Sequence, residues 1–297
     1  MYDDQGGGAG ELARRFEEQR GRLRAVAYRM LGSPDEADDA VQEAWLRLSR
    51  TGAEGIGNLA GWLTTVVSRV CLDMLRARAA RREEPYGTPA PEPGGGGGNV
   101  PEEEAVLADS VGLALLVVLA RLNPAERVAF VLHDLFAVPF EDIAPIVDRS
   151  LPAAKKLASR ARHKVRGTSG VPGAELDRHR RVVEAFLAAA RGGDTAALLA
   201  VLAPEVVRRA DPAALPPGMP VELRGARAVA EGTVLLRERA RSGAVALIDG
   251  TVGIVVAPGG RLLSVLRVVV TGERIASYEV IADPGRLGEV EVGVLGG

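Results

Sequence analysis

The stretch Ser150-Leu-Pro-Ala-Ala-Lys-Lys-Leu-Ala-Ser-Arg-Ala-Arg-His-Lys-Val-Arg166 decides how this chain is read. Ser150 is a good helix cap, because its hydroxyl can accept one orphan backbone N–H. Pro152 falls in the first turn, where its missing donor costs nothing. Ala154, Leu157, Ala158, Ala161 and Val165 then recur at helical spacing and make a narrow apolar stripe. The other faces carry Lys155, Lys156, Arg160, Arg162, Lys164 and Arg166, and no Asp or Glu occurs from Arg149 to Ala174. A helix that packs on one side and is cationic on the other suits a polyanion. The bland alternative is an ordinary solvated basic face.

What precedes this helix favours the polyanion. Asn123-Pro124-Ala125-Glu126 reads as a capping-box start, and the helix it opens runs through Val128, Val131 and Leu132. Phe136-Ala-Val-Pro139 breaks it. Pro139 starts a second short helix, with Phe140, Ile143, Ala144 and Val147 inward and Glu141 and Asp142 in its first turn. Asp148-Arg149-Ser150 is a tight turn into the basic helix. A short helix, a short turn and a cationic helix make a helix-turn-helix, whose second helix enters the major groove. Two residues are irregular in this pattern. Pro145 lies inside the first helix and removes a hydrogen bond or kinks it. Asp148 holds a turn position that Gly occupies most easily, although Asp tolerates a left-handed backbone better than most residues.

The remainder of the chain bounds the answer. Its 297 residues suit two or three domains. At a net charge of -2 it is no polycation, so any nucleic-acid site must come from local segregation of charge. The single cysteine, Cys71, allows no intrachain disulfide and suits a reducing compartment. Met1-Tyr-Asp-Asp is too acidic for a signal peptide. The longest near-continuous apolar run, Val111 to Ala120, falls far short of the roughly 20 residues of a membrane span. A cytoplasmic protein without a membrane partner is expected.

In chain order, residues 1–10 read as a disordered lead and Glu11 to Leu31 as a helix. Ser33-Pro34-Asp35-Glu36 is a second capping box, opening a helix to about Ser49 with Ala37, Val41, Ala44 and Leu48 inward. Asp35 and Glu36 complement the helix dipole. Asp38, Asp39 and Glu43 are not needed for that and repel one another, which suggests an acidic patch for a basic partner protein. Thr51 to Gly57 is a loop. A third helix from Leu59 to about Arg78 buries Leu59, Trp62, Leu63, Val66, Val67, Val70 and Met74 and ends among Arg76, Arg78, Arg81 and Arg82. Those arginines either cap the dipole or hold a nucleic-acid backbone.

The domains expected are a three-helix all-α domain over 11–82, a Pro/Gly-rich linker over 83–104, a helix-turn-helix domain over 105–167 and a third domain over 174–297. In the third, Glu175 to Arg191, Thr195 to Leu202 and Ala226 to Arg241 read as helices and Pro204 to Pro220 as loop. Four strands follow (244–248, 251–256, 262–270 and 274–282), which predicts an antiparallel sheet in an α+β domain. No metal-ligand spacing and no Gly-rich phosphate fingerprint is present, so no cofactor, no metal and no catalytic site is expected. His179, Asp211 and Asp249 are the only acid/base candidates of the third domain.

The stretches Asp38 to Leu48, Trp62 to Arg76, Leu122 to Phe136 and Leu157 to Arg162 together resemble a bacterial sigma factor of the extracytoplasmic-function group. The resemblance covers residues 11–167. The C-terminal part resembles the SnoaL-like extension of one subgroup, which implies a cone-shaped α+β barrel. The resemblance implies a non-enzymatic subunit that binds core RNA polymerase, through the β′ clamp helices and the β flap, and promoter DNA. It places Asp38, Asp39, Gln42, Glu43 and Trp45 on the polymerase. It places Asn58 of the loop 51–58, with Arg69, Arg76 and Arg78 of the third helix, on the minus-ten element. Lys155, Lys156, Ser159, Arg160 and His163 would read the minus-thirty-five element. The subgroup also carries a short motif near the chain end, of which Asp283-Pro284-Gly285-Arg286-Leu287 is a variant, and a glycine cluster that is missing after Asp211. The tail motif implies that the C-terminal domain is a fused regulator, and the missing glycines depart from the subgroup's pattern for how it acts. The alternative is a one-component DNA-binding regulator that senses a small apolar ligand in the C-terminal barrel.

Overall fold

The computed structural model describes residues 5–83 and 110–295. Helix α1 spans Gln5–Leu31, α2 Pro34–Thr51 and α3 Leu59–Glu83. The lead expected over residues 1–10 therefore joins the first helix from Gln5 onward, since each added residue closes one more backbone hydrogen bond. Ser33 caps α2 by accepting the Glu36 N–H, with Pro34 in the first turn. All four expected inward residues, Ala37, Val41, Ala44 and Leu48, are buried. Burying a Leu or Val side chain contributes about 1.5–3 kcal/mol, so this stripe against Phe16, Leu23 and Met30 of α1 outweighs the cap of about 1 kcal/mol. On α3, Leu59, Leu63, Val67 and Val70 are buried with Cys71, Leu72 and Leu75. Burial pushes the Cys71 thiol up to about 12, which makes it a core residue and not a nucleophile.

Helix α4 spans Ser110–Arg121 and α5 Pro124–Phe130, and a wider π turn over Val131–Leu135 continues α5. Asn123 caps α5, its side-chain oxygen accepting the Glu126 N–H at 2.8 Å. Helix α6 is Phe140–Ile146 and α7 is Leu151–Arg166. Pro145 falls in the last turn of α6 and leaves it straight enough to bury Ile143, Ala144 and Ile146. Asp148 adopts the left-handed conformation at φ 55°, as the tight turn requires, and Arg149 N–H returns to the Ala144 carbonyl at 3.0 Å.

The chain divides into two compact units, and two of the boundaries, after 118 and after 162, fall inside α4 and α7. The first contains the described residues up to 83 and residues 119–162. Within this unit α3 packs against α5 and α6. The linker expected over 83–104, apart from Glu83, and residues 105–109 lie outside the described residues.

The second unit contains the described residues 110–118 and 163–295, so it takes in most of α4, the last turn of α7 and the mixed sheet with its helices. Beyond α7 its elements are α8 (Gly173–Gly192), α9 (Thr195–Val201), β1 (Leu202–Ala210), β2 (Glu222–Arg224), α10 (Ala226–Val234), α11 (Arg237–Arg241), β3 (Gly243–Ile248), β4 (Thr251–Val256), β5 (Ser264–Thr271), β6 (Arg274–Ile281), α12 (Pro284–Glu289) and β7 (Val292–Gly293). The strand order is β2-β1-β6-β5-β4-β3-β7. The α+β class is as expected, with three corrections. Residues 204–210, expected as loop, belong to β1. The sheet is mixed, because β1 runs parallel to β6, with Arg208 opposite Tyr278. The helix expected over 226–241 breaks at Leu235–Leu236 into α10 and α11. Helix α8 lies across β3–β6 and buries Val183, Phe186 and Leu187 on them.

Candidate nucleic-acid interface

Helix α7 is seated by small residues. Ala154, Ala158 and Ala161 are fully buried and Val165 nearly so, Leu157 is half-buried beside them, and this close stripe leaves the lysines of the helix and Arg160 facing outward. Lys155, Lys156, Ser159, Arg160 and His163 are all exposed. Among the described residues, Lys155, Lys156 and Arg160 form no ion pair with a carboxylate. The α7 face predicted to read DNA therefore carries uncompensated positive charge, which favours a polyanion. Arg162 differs, because it is half-buried and its Nε lies 2.5 Å from Asp134 Oδ1. That pair fixes the cationic helix to the end of the preceding π turn. The ring of His133 stacks on Phe140 at 3.9 Å between centroids, and Lys155 Nζ lies 6.0 Å from the same ring. This column joins α7 to the start of α6. No spacing in the sequence signalled it.

The acidic face of α2 is less repulsive than its sequence implied. Arg24 of α1 donates to Asp38 at 2.8 Å, and Arg47 donates to Glu43 at 2.9 Å one helical turn on. Asp39 and Gln42 are exposed, and among the described residues no ion pair neutralises Asp39. Trp45 is half-buried, its ring 5.0 Å from that of Phe16 and tilted by 51°. Asp39 and Gln42 thus present the free polar surface of the patch, and Trp45 anchors it to α1.

The four residues predicted for the minus-ten element separate. Asn58 caps α3, its side-chain oxygen accepting the Gly61 N–H at 3.0 Å. Arg76 is exposed on the last turns of α3, 3.9 Å from Asp73. Arg69 is exposed and donates to the Pro145 carbonyl at 3.3 Å. Arg78 is half-buried, pairs with Glu36 and donates to the Leu31 carbonyl at 3.1 Å. It braces α3 to the α1–α2 turn, so its charge is already used within the fold. The sequence reading gave no role to Arg127. Arg127 of α5 is buried and donates to the Met30 carbonyl at 2.9 Å, linking α5 to the last turn of α1.

The acid/base candidates of the C-terminal unit are likewise structural. Asp211 accepts the N–H groups of Ala282 and Asp283 and pairs with Arg286. Asp249 pairs with Arg267 and accepts the Glu291 N–H, and His179 lies 3.6 Å from Glu175. The tail Asp283 to Leu287 forms the start of α12, capped by the Asp283 side chain on the Arg286 N–H at 3.0 Å. Among the described residues, no group of three His, Cys, Asp or Glu side chains could hold a metal ion.

A sigma-70 region 2 family model matches residues 15–81, and a sigma-70 region 4 family model matches residues 112–165. The chain is also 40% identical over 246 residues to the extracytoplasmic-function (ECF) RNA polymerase sigma factor SigJ of Mycobacterium tuberculosis, covering 80% of this chain and 78% of that protein. The chain belongs to the ECF sigma factors. It is 39% identical over 198 residues to the probable ECF sigma factor SigI of the same species, covering 66% of this chain and 68% of SigI. The crystal structure of M. tuberculosis SigJ aligns at a TM-score of 0.45 and 33% identity, over 93% of this chain and 98% of that one. As an ECF sigma factor the chain has a use for both helical segments. Region 2 is α1–α3, region 4 is α4–α7, and the helix-turn-helix is the α6–α7 pair. The one-component alternative leaves α1–α3 without a purpose.

Proposed function

We propose that this sigma factor docks on core RNA polymerase through Asp39 and Gln42, supported by Asp38, Glu43 and Trp45, and reads the minus-thirty-five element with Lys155, Lys156, Ser159, Arg160 and His163 of α7. The observation that carries the reading is the contrast between two exposed helix faces. One is the cationic face of α7, bare of carboxylates; the other is the α2 face around the uncompensated Asp39. The first suits phosphates and base edges, and the second a basic protein surface. Arg69 and Arg76 are the residues of α3 best suited to hold an opened strand at the minus-ten element, with Asn58 at the head of that helix and Arg78 as a brace. The protein performs no catalysis of its own in this reading. The polymerase makes the RNA, and the sigma subunit chooses the promoter in the cytoplasm.

In-vitro transcription with core polymerase and a library of promoters tests the proposal. Promoter-specific initiation that depends on this chain supports it. Specific DNA binding without any recruitment of core polymerase would favour the one-component regulator.

A further inference from the structure

The inner face of the C-terminal sheet does not close completely on its helices. Between them lies a cavity with about 70 Å³ open to water centres, against the roughly 10–15 Å³ that one water needs. It therefore has room for several waters or one small organic molecule. Ile254, Leu266 and Val280 line it from the sheet and Phe186 from α8, so its body is apolar.

Its charged lining is all of one sign. Arg208 of β1 and Arg239 of α11 line the cavity, and no Asp, Glu or His does. Arg208 is 1% exposed and is among the largest fully buried side chains of the protein. One of its terminal nitrogens donates to the Pro220 carbonyl, and the other lies 3.5 Å from the Met219 sulfur. Its Nε–H is buried with no hydrogen-bond partner. Among the described residues, neither Arg208 nor Arg239 pairs with a carboxylate. A buried cation without a counter-charge is costly, and an anion in the cavity removes that cost. Arg239 is exposed while lining the same space, which sets it at the mouth.

Two of the neutral hydroxyls in the lining, those of Thr233 and Tyr278, have no donor to spare. Thr233 Oγ1 donates to the Val229 carbonyl at 2.8 Å, so the hydroxyl of Tyr278, 2.9 Å away, donates to Thr233. Both hydroxyl protons are committed. Burial raises the Tyr278 phenol above its ordinary value, so it stays neutral. The donors left to face a ligand are the guanidinium N–H groups and the Ser264 hydroxyl, and the two cationic groups among them favour a carboxylate over a neutral acceptor.

We infer that the C-terminal domain binds a small apolar monocarboxylate, with its carboxylate on Arg208 and its tail between α8 and the sheet face of Ile254, Leu266 and Val280. None of its residues is among those proposed to meet DNA or polymerase, so the inference does not rest on their assignment.

Titration of the full-length protein with hexanoate and benzoate, and with the neutral isosteres hexanamide and benzamide, tests the site. Saturable binding of a carboxylate with Kd tighter than about 1 mM is expected, at least about tenfold tighter than its amide. Intermolecular NOEs from hexanoate should reach the methyl groups of Ile254 and Leu266. R208M should lose the preference for the carboxylate. If that variant does not fold, the wild-type comparison and the NOEs decide alone. Equal binding of acid and amide, no saturable binding of either acid, NOEs to another surface, or an unchanged carboxylate preference in a folded R208M would each overturn the inference.

Discussion

Asp211 Oδ1 and a terminal guanidinium nitrogen of Arg286 lie 2.5 Å apart, and this pair joins the end of β1 to the start of α12. The other Asp211 oxygen accepts the N–H groups of Ala282 and Asp283 at 3.0 and 3.1 Å, and Arg286 also pairs with Glu279. The two places that the resemblance singled out in the C-terminal domain, the position of the missing glycines and the tail motif, are therefore one cluster. Arg286 is used inside the domain and does not extend from it.

This cluster makes a prediction about acid. Burial pushes the Asp211 carboxyl up, but the two backbone amides and the Arg286 guanidinium outweigh it, and the group titrates below the ordinary aspartate range. A depressed folded pKa contributes stability that is full above the unfolded value, about 3.9, and is lost as pH falls through the folded one. Asp211→Ala should lower the stability of the C-terminal domain by about 1–3 kcal/mol at neutral pH and flatten its stability profile below about pH 4. Thermal melts of the two proteins between neutral pH and pH 3 check both effects. Parallel profiles would show that the carboxylate is not the anchor.

Charge reversal at Asp39 and Glu43 should abolish capture of the polymerase β′ subunit without changing the helical circular dichroism. The structure ranks the two. Asp39 is free, whereas Glu43 is held by Arg47, so D39K alone should cause most of the loss. Full retention of β′ by the double variant would remove α2 from the docking surface.

Arg160→Ala and Lys156→Ala separate base reading from phosphate contact. A base-edge contact costs about 1–3 kcal/mol and relaxes one promoter position, whereas a phosphate contact weakens all sequences alike and reduces the salt slope by about one. Arg160 is expected to be the base reader. Binding to minus-thirty-five duplexes at several salt concentrations distinguishes the two, and two variants that bind like the parent would mean that α7 is not the reading helix.

Arg127→Ala should destabilise the helical unit by about 1.5–3 kcal/mol, the usual contribution of a hydrogen bond to a charged group. Arg127 is buried and ties α5 to the Met30 carbonyl. Denaturant melts of the variant and the parent measure the loss, and coincident curves would make the contact incidental.

The parts of the fold that rest on local chemistry were readable from sequence. The Ser33 and Asn123 caps, the left-handed Asp148 and the alanine stripe of α7 each depend on residues within a turn or two of one another. The misses are long-range or mixed in pattern. In β1 the buried positions are Leu202, Val206, Arg208 and Ala210. An arginine at an inward position hides the alternation that marks a strand, and its parallel partner β6 lies far along the chain. The break at Leu235–Leu236 carries no Gly or Pro, so the helical period runs through it unmarked. Arg47 as a partner of Glu43 follows from i,i+4 spacing. Arg24 as a partner of Asp38 bridges two helices and does not.

The last prediction concerns how the C-terminal domain reaches the recognition helix. Val294 N–H donates to the Val165 carbonyl at 2.7 Å, so the strand end after β7 is bonded to the last turn of α7. Gly293 lies against the residues that follow. A Cβ there would stand 2.8 Å from the Gly167 Cα and 3.1 Å from the Arg166 carbonyl oxygen, both backbone atoms that cannot rotate away. The chain end therefore grips the exit of the DNA-reading helix. Gly293→Val should push that exit aside while leaving Lys155 to Arg160 intact. If the domain regulates through this grip, the variant should shift promoter-dependent transcription in the same direction as removal of everything after Gly170. Deleting residues 283–297 should do likewise, and it also removes Arg286 from its cluster. Run-off transcription with core polymerase compares the three with the parent. Transcription by all three at the parental level would leave the C-terminal domain without influence on initiation, whereas a change in the truncation alone would place its influence elsewhere than the Gly293 contact.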